Sequence, residues 1–284
     1  MRILITGSKG QVGSALVPAL APLGELHAFD RQSLELLDLQ SIRNTVAKVR
    51  PDVIINAAAY TAVDRAEQER DAAFAVNVQA AKELAHRAKS VGALLIHFST
   101  DYVFDGEKPA PYVETDVTSP LNVYGQSKLE GERAVAGSGC RHFIFRTSWV
   151  YGPAGRNFVH AILAAAKAKP ELRVVDDQRG APTSSMAIAG AVAQVLSSAS
   201  RSTKADGIYH LSAAGETTWH GFAKAILEAK GIGTPLVAIR SDEYPVAARR
   251  PKNSLLDNSK IRAAFGIALP DWRQSLAAVL AAIH

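Results

Sequence analysis

Hydrophobic and polar positions along this chain follow two periods, and the switches between them lay out its elements. Arg2 to Thr6 is a short apolar run, the pattern of a strand buried on both faces. Val12, Ala15, Leu16, Ala19 and Leu20 then recur at helical spacing, and a second apolar strand, Leu26 to Phe29, follows. Ser41 to Val49 reads as a helix with Ser41 as its cap, stopped by Pro51. Val53 to Asn56 is a third strand. Ala66 to Val91 reads as one long helix whose apolar stripe, Ala73, Val76, Ala80, Ala81 and Leu84, includes Asn77, so Asn77 needs a buried hydrogen-bonding partner. Leu94 to Ser99 is a fourth strand, and the proline- and acid-rich loop Asp105 to Pro120 reads as a flap or substrate-lining segment. A helix at Leu121 to Ala136 and a fifth strand at His142 to Arg146 complete the first half.

Beyond residue 150 the alternation loosens. A helix is predicted at Asn157 to Ala168, a strand at Leu172 to Val174, a polar loop at Asp176 to Thr183 and a helix at Ser184 to Ser198. The stretch SRSTKADG reads as a flexible connector to a strand at Ile208 to Leu211 and a helix at Trp219 to Lys230. The loop Ser241 to Ser254 and two helical segments end the chain. Strands alternating with amphipathic helices predict an α/β fold, a Rossmann-type doubly wound parallel sheet with a smaller C-terminal substrate-binding lobe. The expected division is residues 1–150 and 151–284, with some later strands and helices returning to the first part.

The glycines give this frame a chemical meaning. Gly7, Gly10 and Gly13 form GxxGxxG between the first strand and the first helix, and Asp30 closes the second strand. Small residues let the backbone approach a pyrophosphate at the positive end of a helix, and an acid at this interval accepts ribose hydroxyls. The spacing resembles that of extended short-chain dehydrogenases/reductases. Ala57, Ala58 and Ala59 at the end of the third strand either leave room for a flat ligand or allow close helix packing.

Composition narrows the field. A chain of 284 residues, 48% hydrophobic and 21% charged, can bury a large core. Its net charge of +5 is not gathered into a basic run, so no nucleic-acid partner is expected. The single cysteine, Cys140, excludes a disulfide framework and a cysteine-rich zinc site, and no histidine–acid pair has metal spacing. His86, His142 and His284 read as surface or helix residues. With a strand rather than a signal peptide at the N-terminus and no apolar run of membrane-spanning length, a reducing cytoplasm and no membrane partner are expected.

Tyr124 and Lys128 lie on one helical face, below Thr100 at the end of the fourth strand. A phenol of reference pKa about 10 needs about 4 kcal/mol to titrate near neutrality. An ammonium about 5 Å away supplies about 3 kcal/mol at an effective dielectric near 20, so Lys128 is expected to pull Tyr124 most of the way down.

The strings GSKGQVG, NAAAYTAVD, STDYVFDG, PLNVYGQSK, FRTSWVYG, DDQRGAPT and RRPKNS resemble those of the dTDP-4-dehydrorhamnose reductase family, over residues 1 to about 275. The resemblance implies a reductase that carries a hydride from NADPH or NADH to the C4 ketone of a dTDP-4-keto-6-deoxy sugar. It implies Tyr124 as proton donor, Lys128 as its tuner and grip on the nicotinamide ribose, and Thr100 as a hydrogen-bonding partner of the reacting oxygen. Gly7, Gly10, Gln11, Val12, Gly13 and Asp30 would hold the dinucleotide, with Asp38 and Leu39 bordering adenine and Ala57 to Ala59 along the cofactor. Asp30 favours NADH and Arg31 could pair with a 2′-phosphate, so both cofactors are expected to work.

On the substrate side, Asp101 either accepts a sugar hydroxyl or caps a turn, and Trp149 either offers a stacking face or fills the core. Asn157, Arg249, Arg250 and Asn253 fall in segments similar to the family's nucleotide-sugar loops, with Arg249 or Arg250 preferred over Arg179 for a diphosphate. Ala15 stands where some members carry a metal-binding glutamate, so a monomer or an oligomer without a metal bridge is expected. Two other readings stay open: an epimerase or dehydratase of the same superfamily, and a non-catalytic dinucleotide-binding subunit.

Overall fold

The computed structural model describes residues 1–199 and 206–283. His284 and most of the predicted connector, residues 200–205, lie outside the described residues. The first half runs β1 (Arg2–Thr6), α1 (Gln11–Leu20), β2 (Glu25–Phe29), α2 (Leu39–Val49), β3 (Val53–Asn56), short helices α3 (Val63–Ala66) and α4 (Arg70–Phe74), a π-helical turn over Ala75–Ala80, α5 (Ala81–Val91), β4 (Leu94–Thr100), α6 (Val123–Ala136) and β5 (His142–Thr147). The second half runs β6 (Val150–Tyr151), α7 (Phe158–Ala168), β7 (Leu172–Val175), β8 (Arg179–Gly180), β9 (Thr183–Ser184), α8 (Ser185–Ala199), β10 (Gly207–His210), β11 (Thr217–Thr218), α9 (Trp219–Ala229), β12 (Leu236–Ile239), α10 (Ser259–Phe265) and α11 (Trp272–Ala281).

Among the described residues, six parallel strands form one sheet in the order β10-β5-β4-β3-β1-β2. The strand order reverses between β1 and β3, which puts the ligand crevice at the carboxyl ends of the central strands. Both faces are covered, which is why β3 and β4 are buried at every position. Ile3, Ile5 and Ile96 pack beneath Leu16 and Leu20 of α1 and Val192 and Val195 of α8. Leu4, Ile54 and Leu95 pack on the other face beneath Ile42, Val46 and Leu84. A separate core joins α7, α9 and α11 through Ile162, Phe222, Trp272 and Leu276. So α8 and β10, from the second half of the sequence, belong to the main sheet's layers, while α7, α9 and α11 form the smaller lobe.

Several elements differ from expectation for local reasons. Helix α2 begins two residues before the predicted cap, because Asp38 rather than Ser41 accepts from the Gln40 and Ser41 amides, at 2.9 and 3.2 Å. The single long helix is broken, with the π-helical turn at Asn77. Strand β12, absent from the sequence reading, pairs in parallel with β7. Its burial is slight on most positions, so its apolar signal is weak. The Asp105–Pro120 loop is pinned rather than free: Tyr112 donates to the Leu255 carbonyl at 2.8 Å and stacks on Phe104 at 4.2 Å. Among the described residues no helix is long and apolar enough to cross a membrane.

Candidate active site

The glycine loop is specified by contact. Gly7 leaves β1 with a left-handed φ of 69°, and a Cβ there would lie 2.7 Å from the Ala58 amide nitrogen. A Cβ on Gly13 would lie 2.1 Å from the Gly7 carbonyl oxygen. Gly10 caps α1 with extended backbone and offers no side chain to the first-turn amides. Beside it, Gln11 donates through Nε2 to the Arg156 carbonyl at 3.2 Å, while its buried Oε1 has no partner. Ala57, Ala58 and Ala59 are half-buried along the crevice. A backbone cradle at a bare helix N-terminus, with an unspent buried amide oxygen, fits the pyrophosphate of a dinucleotide.

At the adenosine end, Asp30 accepts from the Ser33 hydroxyl at 2.8 Å and the Gln32 and Ser33 amides at 3.1 and 2.9 Å. It also pairs with Lys9, and that contact first, with Ser33 second, holds its carboxyl well below the usual range. Lys9 was missed by the sequence reading, although a cation inside the glycine loop opposite the β2 acid was a visible signal. Arg31 is highly exposed and pairs with Glu35 at 3.5 Å. Asp38 caps α2 through one carboxylate oxygen and is exposed, and Leu39 packs from the start of that helix onto the core.

Opposite the cradle, α6 is held from three sides. Asn122 caps it, accepting from the Gly125 amide at 2.8 Å and donating to the Arg249 carbonyl at 2.7 Å. A Cβ on Gly125 would lie 2.2 Å from the Tyr102 carbonyl oxygen, and one on Gly131 2.3 Å from that of Asn77. The Asn77 side chain, on the π-helical turn, bonds the Tyr60 amide at 2.9 Å, the Tyr60 carbonyl at 3.1 Å and the Ser127 hydroxyl at 2.9 Å. It ties the helix to the chain that leaves Ala57–Ala59, the buried task its pattern required. One turn beyond Lys128, Glu132 accepts a forked pair from buried Arg146 at 2.9 and 2.7 Å.

This packing brings Thr100, Tyr124 and Lys128 together. The Thr100 hydroxyl donates to Asp101 at 3.0 Å and lies near enough to the Tyr124 phenol to favour its ionised form. Lys128 donates from Nζ to the Phe98 carbonyl at 2.6 Å. Burial pushes the Lys128 ammonium down to about 8, against the opposing pull of Glu132. Burial pushes the Asp101 carboxyl up to about 6, against bonds from Ser254 and Thr100. The expectation for Tyr124 is corrected here: burial raises its pKa above the ordinary phenol value, only partly opposed by Thr100. The Lys128 Nζ is held by the Phe98 carbonyl on β4, and burial rather than the ammonium sets the direction of the shift.

The substrate side divides the remaining residues. Trp149 takes a left-handed φ of 48°, stacks on Trp219 at 3.6 Å with planes 8° apart, and lies against Gly180, where a Cβ would meet its ring at 2.4 Å. It is half-buried, so part of the indole stays accessible. Asn157 is half-buried at the start of α7: its oxygen caps the helix at the His160 amide, 3.2 Å, and its nitrogen donates to the Gly152 carbonyl at 2.9 Å. Asn253 is buried, and its side chain bonds the Lys108 and Ala110 carbonyls at 2.7 and 3.0 Å and the Leu255 amide at 3.1 Å. Arg250 forks onto Asp64 at 2.8 and 2.6 Å, Arg249 is exposed at the mouth, and Arg179 pairs with Glu216 at 2.8 Å. Tyr102, edge-on to Tyr124 with ring centroids 5.7 Å apart, and Asp64, which lines the cavity beside Arg250, were not singled out from sequence.

A family profile described as the RmlD substrate binding domain matches residues 1–284. The dTDP-4-dehydrorhamnose reductase of Burkholderia thailandensis is 46% identical, over 97% of this chain and 97% of its own. That of Escherichia coli K12 is 45% identical over 96% of this chain and 95% of its own. The crystal structure of the Bacillus anthracis dTDP-4-dehydrorhamnose reductase in complex with NADP superposes with a TM-score of 0.94 at 35% identity, covering 99% of this chain and 98% of that one. Likeness on this scale, running the whole length of both partners, settles descent: the chain belongs to the dTDP-4-dehydrorhamnose reductase family.

Proposed function

We propose that this protein reduces the C4 ketone of dTDP-4-dehydro-L-rhamnose to the alcohol of dTDP-L-rhamnose, using NADPH or NADH. A bound dinucleotide supplies the hydride; the chain's own residues supply position and the proton. Gly7, Gly10, Gln11, Val12 and Gly13 hold the pyrophosphate, Asp30 with Lys9 and Arg31 meet the adenosine ribose, and Ala57 to Ala59 line the cofactor's path. Thr100 and Tyr124 face the carbonyl oxygen, and the Tyr124 proton passes to that oxygen as the alcohol forms. Lys128, fixed to β4, keeps an ammonium at the ribose side of the crevice, where it grips the nicotinamide ribose.

The observation that carries this reading is the buried hydroxyl pair at the end of β4: Thr100, bonded to Asp101 at 3.0 Å, beside Tyr124, whose phenol burial holds above its ordinary pKa and so in the protonated form. A donor must be protonated before it can donate. Asp101 accepts a sugar hydroxyl, Trp149 lends an apolar edge, and Arg249 meets the diphosphate. Arg250 is a weaker ligand than its charge suggests, because taking a phosphate would compete with Asp64.

An epimerase or dehydratase shares these three residues, but Tyr102 rather than a second acid follows Asp101, which disfavours elimination. Residues 1–150 would act mainly as the dinucleotide part and 151–284 mainly as the nucleotide-sugar part. Ala15 packs onto the core beside α8, consistent with a monomer or an oligomer without a bridging metal, working in a reducing cytoplasm. The test is incubation with NADPH and the dTDP-4-keto sugar. Loss of one nicotinamide absorbance per sugar reduced supports the reading, and turnover with no net cofactor oxidation overturns it.

A further inference from the structure

Beneath α6 the sheet carries polar side chains on a face that is otherwise apolar. Thr6, Asn56 and His97 stand in one row across β1, β3 and β4, and Ser99 and Arg146 face each other from β4 and β5 in the next row. All five are buried. The Thr6 hydroxyl donates to the Asn56 carbonyl oxygen at 2.7 Å, and the Asn56 Nδ2 lies 3.0 Å from the His97 Nδ1. This first row carries no charge, because burial, and after it the nearby Lys128 ammonium, hold His97 well below its ordinary pKa.

The charges of this layer are Lys128 and Glu132 on α6 and Arg146 on β5. Four residues apart, Lys128 and Glu132 share one helical face, and each is only 2% exposed. Among the described residues no carboxylate pairs with Lys128 directly; its Nζ is held by the Phe98 carbonyl at 2.6 Å. Glu132 is instead aimed by Arg146, whose Nε and Nη2 take its two oxygens at 2.9 and 2.7 Å. Arg146 lies in turn over the Phe104 ring, 5.1 Å from its centroid. A buried ion pair contributes little net stability, so its place one turn from Lys128 calls for another task.

We infer that Glu132, clamped by Arg146, is a positioning residue for the reaction: its fixed negative charge keeps the Lys128 ammonium charged in a layer that excludes water. Burial alone works against that charge and pushes Lys128 down to about 8. Tyr124 one turn earlier, Asp101 at the end of β4 and neutral His97 surround the same layer, and Glu132 is the group whose charge pulls the ammonium back. This rests on the function proposed above, in which Lys128 acts as a cation.

The test follows the Lys128 titration by carbon-13 NMR of labelled lysine, its signal assigned by loss in Lys128→Met, beside the pH profile of kcat/KM. Glu132→Gln should lower the titration by about one pH unit, carry the alkaline limb with it, and recover most of the wild-type rate at pH 6. Arg146→Met, which frees the Glu132 charge, should move both upward. A purely structural role predicts lost activity at every pH and no opposite shifts. If Glu132→Gln fails to fold with Arg146 left unpaired, the double variant with Arg146→Met buries no lone charge and should still titrate below wild type. A Lys128 titration that stays at the wild-type value in these variants overturns the inference, whatever the rates. Failure of the wild-type protein to reduce the sugar overturns the underlying function instead.

Discussion

The two sides of the crevice are built by different means. On the cofactor side the backbone does the shaping: Gly7 against Ala58, Gly13 against the Gly7 carbonyl, Gly125 against Tyr102, each with no room for a methyl group. On the substrate side the chain is shaped by side chains that hold one another: Asp64 with Arg250, Asn253 with the 108–110 carbonyls, Trp149 with Trp219. A backbone cradle has few alternatives and fits one shared ligand fragment. A side-chain mesh can be retuned residue by residue.

The cofactor side should therefore be the more brittle. Gly13→Ala forces α1 away from the Gly7 carbonyl, an overpacking cost of about 1–3 kcal/mol, so the Kd for NADPH should rise up to about a hundredfold. Fluorescence titration checks it; wild-type affinity would mean the loop yields more easily than its contacts indicate. The reacting centre between the two sides should respond to pH from both. Ionised Asp101 and charged Lys128 coexist only between about 6 and about 8, so kcat/KM should be bell-shaped with limbs near those values. A flat profile from pH 5 to 9 would remove both residues from the account.

At the edge of the cradle the contrast softens. Lys9 is held by a side-chain pair, so Lys9→Ala should leave NADH binding within about twofold and weaken NADPH by up to about tenfold. Equal losses for both cofactors would place Lys9 on the pyrophosphate instead. The smallest effect concerns stability. The raised folded-state pKa of Asp101 means its contribution is fully present below the ordinary carboxylate pKa and lost as pH rises through about 6. Lys128, lowered, loses its contribution as pH falls through about 8. The free site is thus least stable in its working window, and Asp101→Asn should raise Tm by a few degrees at pH 7 and by almost nothing at pH 4.

The same contrast explains what the sequence disclosed. A cradle made of glycines is written in glycines: β1, α1, β3 and the sheet's α/β order were legible because spacing and periodicity encode them. Asn77 on an apolar stripe likewise announced its buried bonds to Tyr60 and Ser127. The mesh was not legible. Nothing local marks Asn157 as a helix cap or Asn253 as a clasp, because their partners lie in turns that only the folded chain brings near. The tuning of Tyr124 was misread for the same reason. Spacing put Lys128 on the right face, but where its Nζ points depends on the Phe98 carbonyl of a neighbouring strand.

The most direct measurement is a single turnover of Tyr124→Phe loaded with NADPH and mixed with the dTDP-4-keto sugar. Removal of the phenolic proton should slow nicotinamide oxidation about a thousandfold while both ligands bind as in the wild type. Oxidation at a rate near wild type would contradict the account, because the proton would then come from elsewhere.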